Sequence, residues 1–470
     1  MIRMTGLLGL FPFVLIACAV GPDYVAPEME LPASFSIQSD SDKVDLSWWN
    51  SFEDETLSDL IEEAVLDNKD IQQALSRINQ SRALAREARS QLYPGVQLGA
   101  DYEKSRQTGS RFPGAGSFQY EIYSADSTAS WEIDIFGSLR RNLESKNAEY
   151  AGQVASLHDS LLLVIGEVAQ TYFSLRGAQA QLAIAEKNLE IQEDTLKLVQ
   201  LKYEAGVVSE LDTVRARSQL EQTRAVVPIW EANVQTSIHR LSVLLGKFPK
   251  ELEEKLIKSE PIPSYAGPVS LGKPEELLRR RPDVQRAERA LASLTAQVGV
   301  AVAEFFPKIT FHGSLGVDAP HFSDLTGGAH SEGYAFGPSI RWRPFDFGRI
   351  QARVAAADER AQEALYAYEQ QVLLALEDVE SSLVRFSSQR RRKIQLEIAF
   401  ASASKAYELA RDQYEEGLID LLSVLQAQSQ MLDVESALYE SKEEMSTSYV
   451  SLAKALGGGW QEWELSRADK

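Results

Sequence analysis

Cys18 is the only cysteine among 470 residues. It can form no disulfide within the chain, and its neighbours offer it a different chemistry. Arg3 gives a minimal positive start, Leu7 to Ile16 is an apolar run, and Ala17 places a small residue just before the sulfur. That order reads as a secretory signal peptide over residues 1–17. Leu15-Ile16-Ala17-Cys18 also matches a lipobox, at which the thiol receives a diacylglycerol, the chain is cut before the cysteine and the new amine is acylated. Several acyl chains make a stable anchor, because each buried CH₂ contributes about 0.8 kcal/mol. The other reading is a plain signal peptide with an incidental cysteine.

No second reactive constellation stands out. There is no Gly-x-Ser-x-Gly, no Walker loop and no His-Glu-x-x-His, and the five histidines are scattered. The 68 acidic residues fall on helical faces, where solvation is the default. No enzyme, metal site or cofactor is expected beyond acyl groups on Cys18. The net charge of −20 disfavours nucleic acid, which needs a basic face. No window reaches about 20 continuous apolar residues, so no transmembrane helix is expected in the mature chain; a membrane barrel gives a much weaker signal. Trp48-Trp49 and Phe52 read as ordinary packing, and Arg279-Arg280-Arg281 as a solvated helix entry.

The elements that carry these residues are long and duplicated. From Val154, steps of seven give Leu161, Val168, Leu175, Leu182, Leu189, Leu196 and Tyr203, with a second seam through Leu157, Val164, Ala178 and Val199. A strict seven-residue period predicts helices that supercoil against neighbours. A helix from Ser138 to Tyr203 runs roughly 100 Å at 1.5 Å per residue. Adding 211 to each number repeats the seam, from Leu365 through Val372, Val379 and Phe386 to Tyr414. Both copies stop alike, at Tyr203-Glu204-Ala205-Gly206 and Tyr414-Glu415-Glu416-Gly417, with glycine just past the helix end. A return helix follows each turn, and Pro228 predicts a kink or break in the first.

Ahead of each long helix the period changes to two. Val96, Leu98, Ala100 and Tyr102 alternate with polar residues, as do Tyr123, Ala125, Ala129, Trp131 and Ile133 on the return. Ile309, Phe311, Leu315 and Val317, then Tyr334, Phe336, Ile340 and Trp342, repeat the pattern. These are two hairpins of strands about ten residues long with aromatic ends, as in membrane barrels. The soluble alternative is a four-stranded sheet packed on helices. Four strands cannot close a barrel and open edges are not tolerated in lipid, so a membrane sheet of this kind requires oligomers.

In this order, the Cys18 motif, Gly21-Pro22-Asp23-Tyr24, Trp48-Trp49, Arg281-Pro282-Asp283-Val284, Phe306-Pro307, the Tyr-x-x-Gly turns and Val424-Leu425-Gln426-Ala427-Gln428 resemble the TolC-like outer-membrane efflux proteins. The similarity is to their lipoprotein (NodT-like) branch, which serves resistance–nodulation–division (RND) pumps. It implies a mixed, mainly α fold with transmembrane β, built as a homotrimer. A twelve-stranded β-barrel continues into a twelve-stranded α-helical barrel, with a mixed α/β equatorial region. The domains expected are a signal peptide (1–17), a lipidated extended segment (18–56) and two repeats. Repeat 1 (57–268) holds a β-hairpin (94–137) and a helical hairpin (138–246). Repeat 2 (269–470) holds their counterparts (307–348 and 349–457).

The resemblance further implies the exit duct of a tripartite pump, exporting drugs or other toxic solutes passively. Its partners would be a periplasmic adaptor, an inner-membrane RND pump and outer-membrane lipid. Ala19 after the cysteine resembles the outer-membrane sorting pattern. Family residues past the second tip turn form the periplasmic gate; here these are Asp420, Leu422, Ser423 and Gln426, with Tyr414 and Gly417 shaping the turn. Gln426 stands where members often carry an acid. Asp420 is either a ring charge or a helix cap. In the repeat 1 tip, Tyr203 and Gly206 form the turn, and Glu210 and Asp212 read as early acids of a helix start. The alternatives are the outer-membrane component of a type I secretion system, or a pore-less, lipid-anchored periplasmic coiled-coil scaffold.

Overall fold

The computed structural model describes residues 19–36, 44–108, 117–265, 267, 270–326 and 332–463. The signal peptide and Cys18 lie outside them, as do hairpin-loop residues 109–116 and 327–331. The elements run α1 (Glu55–Asp67), α2 (Lys69–Ser90), β1 (Gly95–Gln107), β2 (Phe118–Ile133), α3 (Ser138–Glu204), α4 (Glu210–Leu244) and α5 (Glu253–Leu256). The second half gives α6 (Pro274–Arg280), α7 (Pro282–Ala303), β3 (Lys308–Ala319), β4 (Glu332–Arg341), α8 (Arg349–Glu415) and α9 (Leu421–Ala455). The duplication is exact in helix length, since α3 and α8 each have 67 residues and α4 and α9 each have 35. None of the described helices is long and apolar enough to cross a membrane.

The chain divides into two compact units, and each takes segments from both repeats. The first holds residues 1–27, 79–152 and 287–368, and with them all four strands. They form one antiparallel sheet in the order β1-β2-β3-β4. Its helical segments pack through small side chains: Ser145 and Ser293 hydroxyls meet at 2.9 Å, and a Cβ on Gly299 would lie 2.9 Å from the Arg141 side chain. Each repeat ties its strand end to the helix before it by an indole. Trp131 donates to the Leu92 carbonyl (3.0 Å), and Trp342, 211 positions on, donates to that of Phe305 (2.9 Å).

The second unit holds residues 28–78, 153–286 and 369–470 and carries the main apolar core. Trp48, Trp49 and Phe52 are buried in it, with Phe52 against Phe173 (4.8 Å) and Tyr449 (5.6 Å). These aromatics are packing residues, as their spacing suggested. The seams behave unequally. Leu161, Val168 and Leu175 are buried, but farther along the same seam Leu182, Leu189 and Leu196 are only half-buried and Tyr203 is exposed.

α1 and α2 are separate helices, split at Asn68. Its side-chain oxygen accepts from the Asp70 and Ile71 amides while its amide donates to the Leu244 carbonyl, so a tertiary contact supports the break. Two expectations need correction. Of the kink or break that Pro228 predicts, the break does not occur, since α4 runs through it. Arg281 is not solvated: it is 7% exposed, its guanidinium bonds Asp283 (2.6 Å) and Asp378 (3.0 Å), and it donates to the Ala455 carbonyl (3.2 Å).

Burial pushes the Asp283 carboxyl upward, but the hydrogen bonds and charge of Arg281 outweigh it and hold the group below its usual value of 3.8. A depressed carboxyl stabilises the fold above its unfolded pKa, and that stability is lost as the pH falls through the folded value. Arg281→Met leaves Asp283 buried without its cation. It should cost about 3 kcal/mol, seen as a lower thermal midpoint at pH 7. The gap between wild type and variant should narrow below pH 3.8.

Candidate functional site

Two regions carry the expected function, one in each compact unit. In the second, the helical hairpins turn at two tips of matching design. Gly206 (φ 72°) donates to the Tyr203 carbonyl (2.9 Å) and Val207 to that of Lys202 (2.8 Å). Gly417 (φ 76°) donates to Tyr414 (3.0 Å) and Leu418 to Gln413 (2.8 Å). Both close the last helical turn with a reversed pair of bonds around a left-handed glycine. The next helices start on one serine–aspartate pair in opposite order. Asp212 accepts from the Ser209 amide (3.1 Å) and hydroxyl (2.8 Å), whereas Asp420 precedes α9 and accepts from the Ser423 amide (3.0 Å) and hydroxyl (2.6 Å). Asp420 therefore caps a helix. The Ser423 hydrogen bonds, helped by the Arg215 charge, hold its carboxyl below the usual range, so it is also a standing anion.

The tips are alike in backbone and unlike in packing. Tyr414 is buried with Val199, Ala216, Leu421 and Val424, while its counterpart Tyr203 is 44% exposed. The Lys202 ammonium sits 3.9 Å from the centre of the Tyr414 ring, a cation–π contact from one repeat to the other. Burial, followed by the Asp212 charge, raises the Tyr414 phenol, whose oxygen has no hydrogen-bond partner among the described residues. Leu422, Ser423 and Gln426 share an exposed face of α9 with Asp420 at its head, and Leu421 and Val424 point into the tip core. Glu210 is exposed and Asp212 partly covered. Sequence reasoning missed Lys202 and Arg215. Gln413 stands where the repeat would place a second Lys202, a difference visible in the sequence, but nothing in the spacing says that Lys202 reaches across.

In the first unit, strand register aligns the alternation into continuous rows. Val96, Ala129, Gly313 and Phe336 are successive partners across the sheet, as are Leu98, Ser127, Leu315 and Tyr334. One position along, the row is polar at Gln97, Thr128 and Ser314 and ends on the small Ala335. Leu98, Tyr334, Phe336 and Ile340 are each at least 69% exposed, so the apolar face is open. β1 and β4 each keep one unpaired edge within the chain.

The segment after Cys18 is docked on this unit. Val20 donates to the Phe136 carbonyl (3.1 Å), and Arg141 donates to the Val20 carbonyl (3.2 Å) and to Asp23 (2.6 Å). Gly21 lies so close to Gly299 that a Cβ would come within 2.4 Å of its Cα. The Tyr24 hydroxyl donates to Glu288 (3.0 Å), and burial, followed by that hydrogen bond, raises the phenol. Among the described residues no group of His, Cys, Asp and Glu is arranged to hold a metal ion.

Residues 60–247 and 274–458 match the model of the outer membrane efflux protein family. Nodulation protein T of Rhizobium leguminosarum bv. trifolii is 32% identical over 465 residues, 96% of each chain. Cation efflux system protein CusC of Escherichia coli O6:H1 is 29% identical, covering 96% of this chain and 99% of its own. The solved outer-membrane channel OprN superposes with a TM-score of 0.87 at 35% identity, over 94% of this chain and all of that one. A family model that takes in both repeats, on a fold shared with a solved channel, places the chain in the outer membrane efflux protein family.

Proposed function

We propose that the protein is the outer-membrane exit duct of a tripartite efflux pump, passive in itself and gated at the periplasmic helix tips. One observation carries the reading: a sheet with an exposed apolar face and two open edges, in a chain whose long helices end in paired, capped turns. In lipid the open edges must be paired, and three copies of four strands supply a twelve-stranded barrel. α8 also leaves apolar side chains uncovered, among them Tyr366, Leu373, Val384, Ile394 and Ile398, which suits a helical wall shared between copies. Diacylation of Cys18 adds an anchor beside the docked Ala19–Tyr24 segment. Names such as cation efflux system protein and outer-membrane channel among the relatives support export, with a periplasmic adaptor and an RND pump at the tips. Type I secretion is the nearest rival; the Cys18 motif favours efflux.

Internal symmetry supports one way for copies to meet. Both hairpins pair in one register, Val96 opposite Ala129 and Ile309 opposite Ile340, related by shifts of 213 and 211. Between the repeats, Phe136 stacks on Phe306 at 4.6 Å. The same shifts carry that stack to Phe347 and Tyr93 of the partner subunit. Both rings are free here: Tyr93 is 61% exposed, and Phe347 is fully exposed on a left-handed backbone (φ 55°) unusual for a non-glycine.

Three outcomes follow. Tyr93→Cys with Phe347→Cys should crosslink a covalent trimer on oxidation, seen on denaturing gels; neither single variant should. Cys18→Ser should abolish incorporation of labelled palmitate and leave export weakened rather than absent. In planar bilayers the purified protein should conduct. Asp420→Ala, which removes a cap worth about 1 kcal/mol and one anion per copy, should raise conductance and reduce cation preference. A protein that never conducts, in wild-type or variant form, is not a duct.

A further inference from the structure

The chain is strongly acidic, yet one cavity in the first compact unit is basic. It measures about 370 Å³ and lies where β3 and β4 meet the end of α7 and the start of α8. Lys308, Arg341, Arg343, Arg349 and Arg353 line it, against the single carboxylate of Glu304. Arg353 pairs with Glu304 (2.7 Å), and Lys308 and Arg349 stand 3.7 and 3.9 Å from Glu132 and Asp346. Arg341 and Arg343 have no ion-pair partner among the described residues. Lys308 and Arg341 are direct cross-strand partners, an arrangement that costs stability unless an anion lies between them. Trp342, its indole held by the Phe305 carbonyl, forms part of the wall.

The fold does not need these cations. Their repeat 1 counterparts are Gly95, Ser130, Glu132, Ser138 and Asn142, none of them cationic, and the two arginines that the repeat 1 junction does carry are paired, Arg140 with Asp134 and Arg141 with Asp23 and Glu144. Nor would ring closure neutralise them: the register between β2 and β3, shifted to β4, sets the uncharged Gly99 and Gln97 of β1 opposite Arg341 and Arg343.

We infer that this cavity binds a phosphate group, from a phospholipid headgroup at the end of the membrane strands or from a free phosphate anion. Two unpaired guanidiniums offer forked donors matched to phosphate oxygens, and the flanking exposed Trp342 and Phe345 are typical of a membrane–water boundary. The lipid source rests on the barrel reading above; the phosphate chemistry does not.

The test uses the full-length protein in detergent. Native mass spectrometry compares short-chain phosphatidylglycerol with phosphatidylcholine of equal chain length, and calorimetry at low salt titrates inorganic phosphate. R341Q/R343Q is the probe, and R390Q/R391Q removes the same charge at a distant point, on α8. A lipid site predicts phosphatidylglycerol bound at least about tenfold over phosphatidylcholine, with the preference lost in R341Q/R343Q and kept in the control. A free-anion site predicts phosphate binding lost in the same variant alone. Equal binding by wild type and R341Q/R343Q in both arms overturns the site. The heat-sensitive oligomer band, read on each sample, separates the two proposals. An intact band with equal binding removes the site and spares the duct. A monomer that still binds phosphate through Arg341 and Arg343 upholds the site and counts against the barrel.

Discussion

A strand edge cannot be left unpaired in hydrocarbon, because each unsatisfied amide or carbonyl there costs several kcal/mol. Four strands in one chain leave two such edges. The sheet is therefore incomplete as an object, and the proposed assembly follows from completing it. The exposed row through Leu98, Leu315 and Tyr334 would be a liability on a soluble protein and is a requirement on the outside of a barrel. The helices show the same incompleteness. Near the tips one seam is covered within the chain and the other is only half covered.

Duplication supplies the geometry and asymmetry supplies the specialisation. The two tips share a glycine turn and a serine–aspartate start, yet Tyr414 is enclosed and Tyr203 is not. Reversing the order of the pair puts the aspartate ahead of α9, where it caps the helix and presents a charge, and behind the serine in α4, where it is partly covered. Cap and ring charge, posed as alternatives for Asp420, are compatible: a capping carboxylate accepts hydrogen bonds and keeps its charge. The junctions between strands and helices diverge in the same way: the arginines of repeat 1 are paired with carboxylates, and those of repeat 2 gather in one cavity.

The N-terminal segment shows how close packing fixes the path of an extended chain. Gly21 and Gly137 have left-handed backbones, and a Cβ on either would meet main chain within about 2.6 Å. Arg141 then holds the extended strand by its carbonyls, so the residues after Cys18 follow a defined path over the strand–helix junction.

Local signals made much of this legible in the sequence. Period two gave the strands, period seven the long helices, and glycine after Tyr203 and Tyr414 the turns, each from residues near in sequence; the recurrence of all three gave the duplication. The tertiary structure alone decided what depends on distant partners. Asn68 breaks a helix with help from Leu244, Arg281 is buried because Asp283 and Asp378 meet it, and Lys202 lies over Tyr414 from the other repeat. The basic cavity belongs with these. Its five cations are spread over residues 308–353 and become one site only when β3 and β4 pair and α8 starts beside them. Periodicity records which face of an element is covered. Which side chains meet there is set by register and packing, and these exist only in the folded chain.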